Sequence, residues 1–121
     1  AYGSRIGEIA RRLRIDYAVQ DNGEIAPLDL ALLEQTLSDD GDITHVAVVH
    51  CETTTGMLNP VEAIGQIVKE HDRVYMVDAM SSFGGIPMDA AALPASKAIE
   101  RGSDTVLDIG DRVCEGKRGW R

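Results

Sequence analysis

The chain has 121 residues, 44% hydrophobic, 26% charged and only 4% aromatic, with a formal net charge of −8. This composition fits a folded domain, or part of one, and argues against disorder; the acidity argues against nucleic acid as a partner, because phosphate contact needs a basic face. No apolar run approaches the roughly 18 residues of a membrane span, no secretory leader is visible, and Cys51 and Cys114 have the spacing of neither a disulfide framework nor a zinc site, so a cytoplasmic protein without a metal centre is expected.

In chain order, Ile6, Ile9, Ala10 and Leu13 recur at i, i+3, i+4 and i+7, which predicts an amphipathic helix. Arg11, Arg12 and Arg14 lie in its last turns, where cations suit the helix dipole. A chain opening on a helix without an initiator Met is expected to be a fragment. Ile15 to Val19 reads as a short strand, and Asp21-Asn22-Gly23 as a turn. Leu28, Leu30, Leu32, Leu33 and Leu37 predict a second helix, closed by the polar run Ser38 to Asp42. His45 to His50 is an unbroken apolar run between two histidines, the pattern of a strand covered on both faces. Asn59-Pro60 predicts a helix start, with Asn59 as N-cap and Pro60 at the first helical position. Val61, Ile64, Ile67 and Val68 supply the apolar stripe of that helix, and Val74 to Val77 forms the next buried strand, ending at Asp78.

This alternation predicts an α/β fold: a partial, mainly parallel sheet with flanking helices. Residues 1–94 carry 15 acidic and 6 basic side chains, whereas residues 95–121 carry 5 and 6. The second stretch has no clear periodicity and reads as a divergent tail. Ligands of open α/β sheets bind beyond the carboxyl ends of the strands. Two segments leave strands there, His50 to Gly56 and Asp78 to Gly85, both rich in small polar residues. A lone carboxylate at a buried strand tip is costly unless it is paired. Asp78 thus calls for a cationic partner or, equally, caps the turn that follows. No phosphate-loop glycine motif and no nucleophile-elbow frame around Ser81-Ser82 is present.

His-Cys-Glu-Thr-Thr-Thr-Gly-Met-Leu-Asn-Pro, from His50 to Pro60, and Val-Asp-Ala-Met-Ser-Ser-Phe-Gly-Gly-Ile-Pro-Met-Asp, from Val77 to Asp89, resemble the 2-aminoethylphosphonate–pyruvate transaminases. These belong to the class V branch of fold-type I pyridoxal phosphate enzymes. The opening Ala-Tyr-Gly-Ser-Arg is similar to the same family, and the resemblance runs from Ala1 to about Leu93. It implies a piece of the large cofactor-binding domain (1–94), pyridoxal 5'-phosphate as cofactor, an amino donor and pyruvate as substrates, and a homodimer. Asp78 matches the aspartate that pairs with the pyridinium nitrogen. A fixed anion there keeps the nitrogen protonated, so that the ring can accept electrons. Thr53 matches the side chain near the cofactor's phenolic oxygen, although a threonine there also orders a turn. Tyr2 falls where relatives carry a residue against the ring face, and Glu52 is expected to hold its loop through backbone amides.

The family chemistry also needs a lysine. Lys69 lies at the wrong end of the sheet, and Lys97 is the catalytic candidate although it follows Asp78 by fewer residues than in the family. The phosphate loop and the small domain are expected outside this stretch, so that the isolated chain is expected to be inactive. The alternatives are another class V aminotransferase, or a non-catalytic α/β fragment.

Overall fold

The computed structural model describes residues 2–23 and 25–87 and the backbone of two short strands, 97–99 and 106–108; the side chains of Tyr2 and of those two strands lie outside the described residues, as does the remainder of the tail. Helix α1 spans Tyr2–Arg12, α2 Leu30–Asp39 and α3 Val61–Glu70. The strands are β1 His45–Val49, β2 Cys51–Glu52, β3 Met57–Leu58, β4 Val74–Asp78, β5 Lys97–Ile99 and β6 Val106–Asp108. Four strands form one sheet in the order β1-β4-β5-β6, while β2 and β3 form a separate hairpin. The β1–β4 and β4–β5 pairs are parallel and β5–β6 is antiparallel, so the sheet is mainly parallel as expected.

Each helix begins and ends for a local reason. Asp29 caps α2, its carboxylate accepting from the amides of Ala31 and Leu32 at 3.0 and 3.1 Å. That cap starts the helix two residues after Leu28, and Leu33 and Leu37 turn its buried face inward. At α3 the expected cap differs. Pro60 occupies the N-cap and the side chain of Asn59 makes no cap bond; its amide donates instead to the Val49 carbonyl at 2.8 Å. Asn59 ties the end of β1 to the start of α3. Asp21-Asn22-Gly23 does turn as expected, with Gly23 at φ +82° and its amide bonded to Asp21 Oδ1.

The core lies between helices α2 and α3 and one face of the sheet. Leu33, Leu37, Val61, Ile64, Val68, Tyr75, Val77 and Ala79 form its buried cluster, with Val46 and Val48 packed against it. The registers Val46↔Tyr75 and Val48↔Val77 put these four side chains on the same face. Tyr75, fully buried, satisfies its hydroxyl on the Val61 carbonyl at 2.9 Å, and burial raises its pKa well above the ordinary tyrosine value.

Two expectations are corrected here. β1 is covered unevenly rather than fully on both faces: Val46 and Val48 pack on the core and Val49 is buried on the other face, but His45 and Ala47 on that second face are exposed. Residues 15–19 form no strand. Ile15, Tyr17 and Val19 have no pairing partner among the described residues and remain about half exposed. That segment instead folds back across α1, where a Cβ on Gly7 would lie 3.2 Å from the Tyr17 ring and 3.4 Å from Val19. Gly7 is thus the close-approach point, and it is buried while Ile9 and Leu13 of the expected apolar stripe stay exposed.

Candidate functional site

The parallel register places the ends of β1 and β4 side by side, with Val49 opposite Asp78. From these ends leave the two segments rich in small polar residues. The first is not a plain loop. Cys51-Glu52 pairs with Met57-Leu58, and the turn between them is closed by the Gly56 amide on the Glu52 carbonyl at 2.7 Å, with Gly56 at φ +72°. Thr53 lies exposed at the start of that turn. The alternating-period signal of a strand is too short in two-residue arms to be read from sequence.

The second segment starts with Asp78. Its side chain is half-buried, and Oδ1 accepts from the Met80 amide at 3.0 Å. The turn-capping role is therefore real. It uses one carboxylate oxygen, and the other makes no hydrogen bond to a described residue, so capping and pairing with a cation are compatible. The chain then makes a tight turn, with the amides of Ser82 and Phe83 both directed at the Ala79 carbonyl, and Gly84 takes φ +78°.

The two segments are stitched together. The His50 amide donates to the Asp78 carbonyl at 2.8 Å, and Ser81 Oγ donates to the Cys51 carbonyl at 2.8 Å. Between these bonds, His50 Nδ1 meets Ser82 Oγ at 2.8 Å, both residues being buried. Burial lowers the His50 pKa, and the nearby charge of Glu62 opposes that shift. The sequence shows His50 only as the end of an apolar run; its partner, 32 positions away, gives no local signal.

The start of α1 joins the same region. Glu52 Oε1 accepts from the Gly3 amide at 3.2 Å, an acidic group placed at a helix N-terminus. Glu52 thus accepts from a backbone amide, but that amide belongs to α1 and not, as expected, to its own loop. It brings the backbone at Tyr2 to the turn that carries Thr53; the Tyr2 side chain lies outside the described residues.

Lys97 opens β5 in register with Met76, and Ile99 with Asp78. Its backbone therefore stands two residues back from the level of Asp78, roughly 7 Å along the ladder. Sequence reading finds no strand there, and its side chain lies outside the described residues. Lys69 sits in the last turn of α3, which leads into the opposite end of β4, and is remote from the strand tips as expected. Among the described residues, no group of three or more His, Cys, Asp or Glu side chains is arranged to hold a metal ion, and no helix is long and apolar enough to cross a membrane.

The donor set suits a flat cationic heteroaromatic ring: one half-buried carboxylate with an oxygen unbonded among the described residues, and an exposed threonine hydroxyl on the adjoining turn. A sequence profile for aminotransferase class-V matches residues 8–95. A 2-aminoethylphosphonate–pyruvate transaminase of Klebsiella pneumoniae is 54% identical over 93 residues, covering 77% of this chain and 25% of that protein. One from Vibrio vulnificus is 46% identical over 120 residues, covering 99% of this chain and 30% of that protein. Among solved structures, alanine–glyoxylate aminotransferase from Nostoc superposes with a TM-score of 0.74 at 27% identity, covering 83% of this chain and 26% of that one. The chain spans about a quarter to a third of the length of the curated relatives it matches.

Proposed function

Because the chain belongs to the class-V aminotransferase family, we propose that it is part of the cofactor-binding domain of a transaminase that moves the amino group of 2-aminoethylphosphonate to pyruvate, giving phosphonoacetaldehyde and alanine. Class-V aminotransferases and the wider fold-type I enzymes are pyridoxal-phosphate-dependent. The observation that carries the reading is Asp78, half-buried at the tip of β4 and tied through the chain to the turn bearing Thr53. The choice of donor rests on the names and identity of the relatives.

In this reading Asp78 holds the ring nitrogen in its protonated state, Thr53 donates to the phenolic oxygen region, and Tyr2 lies against the ring face. The cofactor, when bound, supplies an electron sink for the proton-loss step. Lys97 would hold the cofactor and carry the proton in that step. Residues 1–94 belong to the large domain and residues 95–121 to a divergent tail. The complete protein works as a cytoplasmic homodimer, and the isolated chain binds cofactor without turnover.

The experiment is to mix the purified chain with pyridoxal phosphate, reduce it with borohydride and map the modified peptide. Label at Lys97 is the expected result. Label at Lys69 or Lys117, or no label, would remove Lys97 from the chemistry.

A further inference from the structure

We propose that His50 is a positioning residue for this site: through Ser82 it clamps the segment that follows Asp78 to the one that leads into Thr53. The proposal rests on the cofactor reading given above. Ser82 is 1% exposed and His50 6%, so neither can reach a substrate, and a nucleophilic role for the pair is closed by burial. What the pair can do is mechanical. The His50 amide bonds the Asp78 carbonyl, its imidazole bonds Ser82, and Ser81 bonds Cys51 one step further on. These three bonds run between residues 50–51 and residues 78–82, so neither strand tip can drift without breaking a buried contact. A serine–imidazole bond away from water is costly to break, because the partner left behind is unsatisfied. Ser82 Oγ also lies 3.3 Å from the Ala79 carbonyl, which joins the clamp to the turn immediately after Asp78.

The test compares wild type with Ser82→Ala, His50→Leu, the double variant, His50→Asn and, as a remote core control, Val68→Ala. Two quantities are read on the full 121-residue chain: pyridoxal phosphate affinity by absorbance titration, and hydrogen exchange at the Met80 amide, which reports the Asp78 carboxylate directly. Ser82→Ala and His50→Leu should each weaken affinity about tenfold and lose Met80 protection, with the double variant little worse than either. His50→Asn, which keeps a polar atom near the Nδ1 position, should recover most of both. Val68→Ala should lower thermal stability while keeping the affinity of its folded fraction. Unchanged affinity and protection in Ser82→Ala and His50→Leu would overturn the clamp, as would equal loss of affinity in Val68→Ala. Should wild type take up no pyridoxal phosphate, the cofactor reading fails by itself. Met80 exchange then decides the clamp alone: lost protection in the variants upholds it and unchanged protection overturns it.

Discussion

His50 is a base in a place where its charged form is poorly solvated. Burial depresses its pKa in the folded chain below the ordinary 6.5, with Glu62 opposing. The unfolded chain therefore binds this proton more readily than the folded one. The stability tied to His50 is complete above the unfolded pKa near 6.5, is lost as pH falls through it, and levels off only below the depressed folded value. Denaturant midpoints measured between roughly pH 7.5 and 5 should fall for wild type and fall less for His50→Asn, which keeps a polar partner for Ser82 but does not titrate. Parallel slopes for the two proteins would contradict the assignment. The contrast with Asp78 and Thr53 shows what is legible at this scale. Asp78 stands at the end of an apolar run, where strand geometry alone brings a residue to the sheet edge at which ligands bind, whereas Thr53 lies beyond Glu52 in the hairpin turn and is picked out only by the resemblance. The imidazole of His50 stands at a similar end but points to Ser82, a choice made by packing between distant segments, which no local pattern encodes.

At the scale of elements, α1 and α3 end alike. Behind α3 the Arg73 amide bonds the Val68 carbonyl and the Asp72 amide that of Lys69; behind α1 the Ile15 amide bonds the Ala10 carbonyl and the Arg14 amide that of Arg11. Both are Schellman closures, and both place a non-glycine residue in the left-handed region, Asp72 at φ +54° and Arg14 at φ +57°. Glycine relieves that strain at the cost of a more flexible unfolded chain. Asp72→Gly should therefore raise stability by about 0.5 to 1 kcal/mol in chemical denaturation, as should Arg14→Gly, while either change placed mid-helix would destabilise. A drop in stability for Asp72→Gly would mean that its side chain does more than tolerate the turn. The helices themselves were legible, since apolar spacing marks them and Asn59-Pro60 marks the start of α3, although Pro60 rather than Asn59 takes the N-cap. The failures share a cause. Residues 15–19 alternate like a strand, but a strand exists only with a partner, and here the segment lies on α1 over Gly7. The hairpin of Cys51-Glu52 with Met57-Leu58 is held by its turn rather than by a run of strand-forming residues.

At the scale of the whole molecule, a mainly parallel sheet with α2 and α3 on one face brings the segments that carry Asp78 and Thr53 together at one end of β1 and β4. The order β1-α3-β4 brings Asp78 beside Val49, and the segment leaving β1 into the hairpin and the Ser82 turn leaving β4 are knitted together there. The aminotransferase class-V profile covers this arrangement, and the relatives extend well beyond it in length. The class of fold was readable from the alternation of helix and strand periods. The exposure of His45 and Ala47 was not, because a continuous apolar run reports what a strand tolerates and not which helices lie against it. The proposed function turns on one ion pair that Asp78 would make, between its carboxylate and a protonated ring nitrogen. The most direct measurement is the affinity of the chain for pyridoxal phosphate, wild type against Asp78→Ala, at neutral pH. Loss of a half-buried charge partner should weaken binding by about 100-fold; equal affinity in the two proteins would contradict the account.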